Sequence, residues 1–160
     1  MSLAVVCVGR LKEKPFRQMA DEYLRRLGRY GKVEEIEIPD LPEPAGNHSA
    51  ALEEQIRIRE GEGILRAIRP GDRVIALTIP GHAPDSPELA ERIRDLRVRG
   101  TGRIVFVIGG SLGLGRNVLE RADEEMSMSR MTFPHQLARV MLLEQLYRAE
   151  KISAGERYHK

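Results

Sequence analysis

Four glycines in seven residues, Gly109, Gly110, Gly113 and Gly115, follow directly on the apolar run 104–108 (IVFVI). Glycine lets a backbone approach a ligand closely and turn through positive φ. In α/β proteins, ligands gather at the carboxyl ends of strands. The pattern reads either as a binding loop or as a set of tight turns and helix caps. Its G-x-x-G-x-G spacing is not the dinucleotide fingerprint, and no Gly-Lys-Ser/Thr follows to make a phosphate loop. Ser111 lacks the G-x-S-x-G frame of a nucleophile elbow. The four histidines, His48, His82, His135 and His159, show no paired metal-ligand spacing. Cys7 is the only cysteine, so neither an internal disulfide nor a cysteine metal site can form; in its apolar run it reads as a small buried hydrophobe. The carboxylate pairs Glu34-Glu35 and Glu124-Glu125 are expected to be solvated faces rather than hydrolytic pairs.

The elements that must hold such a loop follow from periodicity. The runs 3–8, 74–79 and 104–108 are short, apolar and β-branched, and each is bounded by turn residues, so they are expected strands; 33–38 is a weaker one, with Ile36 and Ile38 on one face. Pro80-Gly81 is expected to end the third, and 126–131 is expected to form a fifth. Between them, apolar residues recur at helical spacing from Pro15 to Leu27, over 50–69 and from Ser86 to Gly100. Ser86 is expected to cap its helix, with Pro87 at the first helical position. Gly61 and Gly63 weaken the second helix by about 1 kcal/mol each against alanine. A short helix is expected over 116–123, and 40–47 is expected to be a loop. The last helix, capped by Thr132 and opened by Pro134, is expected to run to about Ile152, before an irregular tail.

Strands alternating with helices give an α/β protein with a largely parallel sheet flanked by helices. With 160 residues and no visible boundary, it is expected to be a single domain over 1–160. The net charge of +2 does not by itself imply nucleic acid. Residues 130–160 carry six basic and three acidic side chains, a locally basic end that suits either phosphate or an ordinary solvated surface. No apolar run approaches the roughly 20 residues of a membrane span and no leader is visible, so a cytoplasmic protein is expected. Leu137, Val140, Met141, Leu142, Leu143, Leu146 and Tyr147 make the last helix apolar on several faces. Such a helix needs several neighbours, and a second copy in a symmetric dimer would supply one.

Residue chemistry stops there, and likeness carries the reading further. VGRLKEK at 8–14, LTIPG at 77–81, VIGG at 107–110 and MTFPH at 131–135 occur in an order that resembles the ribosomal RNA large subunit methyltransferase H family. Glu144-Gln145, Tyr147-Arg148-Ala149, Gly155 and Tyr158-His159 extend the match to essentially the whole chain. The resemblance implies a SPOUT fold with a C-terminal trefoil knot, a feature that periodicity cannot show. It implies S-adenosylmethionine-dependent methylation of N3 of a pseudouridine in 23S ribosomal RNA, by a homodimer acting on the assembled 70S ribosome. No metal and no membrane are implied.

The resemblance also places the cofactor against Leu77, Gly109, Gly110, Met128, Ser129, Arg130, Met131, Thr132 and Phe133, with Leu77, Met128, Met131 and Phe133 forming an apolar slot for adenine. It implies a composite site in which Tyr158 and His159 come from the other subunit and meet His135 and Arg139. His159 is the favoured proton acceptor, because its unperturbed pKa lies near neutrality, with ordering of the tail as its other role. Arg139 is expected to grip a phosphate or the substrate carbonyl. Arg157 stands where the family has proline or a small residue, which leaves the path of the tail open. Arg10, Lys12, Lys14, Arg17, Arg25 and Arg26 are expected either to touch phosphates or only to keep the surface soluble. Two other readings stand beside this one: a non-catalytic RNA-binding protein of the same fold, and a methyltransferase acting on transfer RNA.

Overall fold

The computed structural model of the protein describes residues 1–46 and 49–160, so the end of the expected 40–47 loop, and His48, lie outside the described residues. The strands are β1 (Ser2–Val8), β2 (Val33–Ile38), β3 (Arg73–His82), β4 (Arg103–Ile108) and β5 (Glu124–Met126). The helices are α1 (Lys14–Leu27), α2 (Ala50–Ala67), α3 (Ser86–Val98), α4 (Arg116–Arg121) and α5 (His135–Ser153). The strands form one sheet in the order β2-β1-β4-β3-β5, and every pairing is parallel.

Alternation along the central strands explains the layers. Leu3, Val5, Cys7, Ile104, Phe106 and Ile108 face a core shared with α1, α3 and α5. Ala4, Val6, Val8, Val105 and Val107 face the other side, closed by Ile64 of α2 and Val118 of α4. Burial on both faces is why these strands read as unbroken apolar runs. Cys7 is fully buried, and that burial pushes its thiol up to about 12, as expected for an inert core residue.

Several boundaries differ from the sequence expectation. Pro80-Gly81 does not stop β3: Leu77 and His82 both oppose Met126, so the residues between them bulge out and the strand resumes. Gly81 permits this, because a Cβ there would lie 2.8 Å from the backbone of Glu125 and Met126. β5 occupies 124–126 rather than 126–131: Met126 is the last residue in register with β3, and only a single bond from Ser127 N–H to the His82 carbonyl follows it. The N-cap of α3 is Asp85, whose side chain accepts from the Glu88 N–H in a capping box, and Ser86 is its first residue. The N-cap of α5 is Pro134, and Thr132 makes no cap. α2 ends at Ala67 and α4 at Arg121, each slightly short of expectation.

Of the four glutamates expected on solvated faces, Glu125 is exposed, while Glu34, Glu35 and Glu124 are engaged by basic side chains. Glu124 accepts from Arg73 at 2.8 Å and from Arg92, while Glu35 pairs with Arg17 at 2.7 Å. Glu34 pairs with Lys32 and with Arg103, whose guanidinium is itself buried against Asp72.

Gly61 and Gly63 are contact points rather than flaws in α2. A Cβ on Gly61 would lie 2.5 Å from Asn117 Oδ1 and 2.9 Å from a methyl of Val118; one on Gly63 would lie 2.5 Å from a methyl of Ile38. Asn117 cannot yield freely, since its amide donates to the Ile58 carbonyl at 3.0 Å. Gly61→Ala gains about 1 kcal/mol of helix propensity but overpacks a tight contact, which costs about 1–3 kcal/mol. Net destabilisation is the expected outcome, read as a lower urea midpoint at unchanged m-value.

Candidate active site

The carboxyl ends of β3, β4 and β5 lie side by side, and the segments that leave them enclose a cavity of ≈ 680 Å³. Its wall takes Leu77, Thr78 and Ile79 from β3. The glycine loop adds Gly109 to Gly113, and the segment between β5 and α5 adds Met126 to Ser129 and Met131 to Pro134. His135 and Ala138 of α5 complete it. Of the expected cofactor contacts, Leu77, Gly109, Gly110, Met128, Ser129, Met131, Thr132 and Phe133 come together here. Arg130 does not: it is exposed and outside the cavity wall. The turn from Ser127 to Met131 explains the difference. Ser127 Oγ donates to the Ser129 carbonyl at 2.8 Å and Met131 N–H donates to Ser129 Oγ at 3.0 Å, which leaves Arg130 at the outer corner.

The glycine loop is shaped by contact with itself. A Cβ on Gly109 would lie 2.6 Å from the carbonyl carbon of Gly113, so the loop closes only if residue 109 has no side chain. Gly113 sits at φ +83°, and its N–H donates to the Gly110 carbonyl at 3.0 Å. Behind Gly110, a Cβ would meet Val8 at 3.1 Å and Glu60 Oε2 at 3.4 Å. Burial pushes the Glu60 carboxyl up; a hydrogen bond from Leu41 N–H opposes this, and Asp40 and Glu43 add to the rise. Ser111 hydrogen-bonds Glu43, so the loop after β2 is tied to the glycine loop.

Sequence reasoning missed Thr78, Ile79, Ser111 and Ser127. The first two lie in the bulge of β3, where the sequence predicts only the end of a strand. Thr78 Oγ1 is buried without a hydrogen-bond partner. A buried hydroxyl left in that state is unfavourable by about 1–3 kcal/mol, so a polar ligand atom would be welcome there.

His135 is half-buried on the cavity wall. Its Nε2 would lie 3.8 Å from a Cβ on Gly9, and the Asp40 carboxylate lies on the same side. Burial, the Arg139 guanidinium and the Lys12 ammonium hold the imidazole below its ordinary pKa, against the opposing pull of Asp40. At neutral pH it is an uncharged ring able to accept a proton.

Arg139 is placed differently from expectation. It is 1% exposed and points inward. Its guanidinium donates to Glu37 at 2.7 Å, to Glu35 at 3.3 Å and to the Gly9 carbonyl at 2.7 Å. A charge this buried needs such partners, and they leave it as an internal tie rather than a gripping group on the surface.

The tail lies away from the cavity of its own chain. Gly155, at φ +67°, ends α5, with Glu156 N–H donating to the Lys151 carbonyl at 3.0 Å. Tyr158 then packs edge-on against Tyr147 at 5.0 Å, under Arg148, with its hydroxyl donating to Glu144 at 3.1 Å. Burial and the Glu144 carboxylate push that phenol up to about 12. His159 Nδ1 lies 3.3 Å from Arg148 Nη1. The tail therefore adjoins a second groove of ≈ 540 Å³, lined by Met19 and Tyr23 of α1, Leu89 of α3, and Leu137, Met141 and Glu144 of α5. Met126, Ser127 and Met128 wall both cavities.

A parallel sheet with a largely apolar, nucleoside-sized cavity at its carboxyl ends defines the class of α/β proteins that hold a nucleotide-like ligand there. The family model described as "Predicted SPOUT methyltransferase" matches residues 1–159. Proteins named "Ribosomal RNA large subunit methyltransferase H" are similar over the full 160 residues and over 100% of both chains: 49% identical in Alkaliphilus oremlandii, 51% in Bifidobacterium adolescentis and 50% in Clostridium novyi. The chain belongs to the SPOUT methyltransferases, in the family of those relatives, and with the family goes its trefoil knot. Its methyl donor is S-adenosylmethionine.

The cavity fits that donor in kind. Leu77, Met128, Met131 and Phe133 offer apolar surface to a purine, and Thr78 and the backbone of 109–113 and 127–132 offer polar atoms. Phe133→Ala removes one wall. Burying a phenylalanine side chain is worth about 1.5–3 kcal/mol, so roughly tenfold or more weaker cofactor binding is expected by calorimetry. Unchanged affinity in a folded F133A protein would place the cofactor elsewhere.

Proposed function

We propose that this protein methylates N3 of a pseudouridine in large-subunit (23S) ribosomal RNA. It does so as a cytoplasmic homodimer acting on the assembled 70S ribosome, with residues 1–160 forming one methyltransferase domain. The observation that carries this reading is the cavity at the carboxyl ends of β3, β4 and β5. Its wall draws on the motifs at 77–81, 107–110 and 131–135 through which the sequence resembles that methyltransferase family. No helix of the described residues is long and apolar enough to cross a membrane.

S-adenosylmethionine, when bound, supplies a methyl group already activated by its sulfonium. The protein must hold the pyrimidine N3 in line with that methyl and let the N3 proton leave. Leu77, Met128 and Phe133 would grip the donor, while the self-closed glycine loop would fix its depth. Positioning of this kind supplies a large share of a rate enhancement. Proton acceptance falls to imidazoles: His135 stands uncharged on the cavity wall, and His159 would be brought by a second subunit. Tyr158, a phenol at neutral pH, would hydrogen-bond the base or stack on it.

The groove beside the tail supports the dimer. It is lined by apolar side chains of α1, α3 and α5, and Met19 on its rim is 46% exposed. A copy seated there across a two-fold axis would bring its own tail near the wall that groove and cavity share. Met141→Glu would place a charge in this contact, and light scattering is expected to show a dimer for the parent and a monomer for the variant.

Methyl transfer from labelled cofactor to 70S ribosomes, separate subunits and transfer RNA tests the substrate. Label in 23S RNA of 70S ribosomes is expected; label only in transfer RNA would overturn the reading. No transfer to any RNA, with cofactor binding intact, would leave a binding protein. Single-turnover rates of H159A, H159Q and H135Q across pH divide the proton role. Loss of the parent's acidic limb in one variant identifies the acceptor, and an unchanged profile in all three means that positioning alone suffices.

A further inference from the structure

The cations expected near RNA fall into two groups once their partners are known. Arg17 is held by Asp21, Glu35 and Glu37, and Arg25 and Arg26 share Glu22. Each has a carboxylate partner within the fold, although Arg25 and Arg26 must share one. Arg10, Lys12 and Lys14 are exposed, and no carboxylate lies within ion-pair distance of them among the described residues. All three lie in one short stretch, from the β1–α1 loop into the first residue of α1.

That stretch is held in shape. Gly9, at φ +89°, turns the chain; its N–H donates to the Ile38 carbonyl at 2.7 Å and its carbonyl accepts from buried Arg139. Leu11 is 6% exposed and anchors the middle of the loop in the core, so Arg10 and Lys12 on either side project outward. The first turn of α1 carries Lys14 and no acidic residue. That cation opposes the helix dipole, so local stability does not explain it. The loop leaves the carboxyl end of β1, and Gly9 borders His135 on the cavity wall. Lys12 is close enough to depress the His135 imidazole.

We infer that the β1–α1 loop, through Arg10, Lys12 and Lys14, is the surface that grips phosphates of the substrate RNA beside the methyl-transfer cavity; the inference rests on the rRNA reading above. Cations carried by this fixed loop without ion-pair partners release counterions on meeting phosphates, and such contacts set register without reading sequence. The opposite end of the sheet supplies a comparison. Arg29 and Arg99 are also exposed, and no ion pair is formed by either among the described residues, but they follow the carboxyl ends of α1 and α3.

The test compares Lys12→Ala/Lys14→Ala and Arg10→Ala/Lys12→Ala with the control Arg29→Ala/Arg99→Ala. In methyl transfer to 70S ribosomes, each loop variant is expected to raise KM at least about tenfold and to lower the salt dependence of binding by about two charges. Cofactor affinity by calorimetry should match the parent, and the control should behave as the parent in every assay. Equal KM and salt slope in parent and loop variants would overturn the inference. So would an equal effect from the control pair, which would mean only that overall charge matters. If the parent itself methylates no ribosome, the rRNA reading fails separately. Equilibrium binding of parent and variants to large-subunit RNA then still decides whether the loop holds phosphate.

Discussion

The guanidinium of Arg139 ties the two ends of this chain together. It sits on α5, in the last quarter of the sequence, and reaches the carbonyl of Gly9 at the end of β1 and the carboxylates of Glu35 and Glu37 on β2. Removing a guanidinium from water is costly unless charge and hydrogen bonds replace the solvent. Here a strand end and two acidic side chains do so together. The position of α5 is thereby fixed against β1 and β2, and with it His135, one helical turn earlier on the same face. The β1–α1 loop, the cavity wall and the start of α5 share this one anchor.

From that anchor the site assembles by strand order. β3 lies between β4 and β5, so segments near residues 77, 109 and 128 leave the sheet as neighbours although they are far apart in the chain. Parallel strands make this possible, because their carboxyl ends all emerge on one edge. The glycines then act at short range. Gly109 lets its loop fold onto Gly113, and Gly81 lets β3 bulge against β5. Both are backbone-to-backbone approaches, so the open cavity is what remains once the loops have packed against themselves. Its neighbour, the groove along α5, shares the Met126–Met128 wall. Whatever packs into the groove therefore presses on a segment that also bounds the cavity.

Much of this was legible in the chain. The four long strands stand where the sequence places them: β1 and β4 as unbroken apolar runs because both faces are buried, and edge strand β2 as an alternation with Ile36 and Ile38 on one face. The helices stand where apolar residues recur at helical spacing. The residues that the family resemblance places at the cofactor, Arg130 excepted, line one cavity. The misreadings have a common cause. Pro80-Gly81 is a stop signal in isolation, yet β5 lies close enough for pairing to resume beyond it. Gly61 and Gly63 are helix-weakening by propensity, yet Asn117 and Ile38 leave no room for a side chain. Glu34, Glu35 and Glu124 are surface-like by composition, yet arginines distant in sequence reach them.

What the sequence determined by itself was therefore local: which segments are strands and helices, which strands are buried on both faces, and that a glycine loop ends the fourth. Those properties follow from side-chain period and backbone freedom within a few residues. Which arginines face solvent was decided only by tertiary structure. Arg10 and Arg139 are alike as residues, and one is a free surface cation while the other is sealed in the core. The difference lies in the electrostatic partners that folding brings within reach. Those partners come from 130 and 104 positions away for Arg139, a separation no local pattern records.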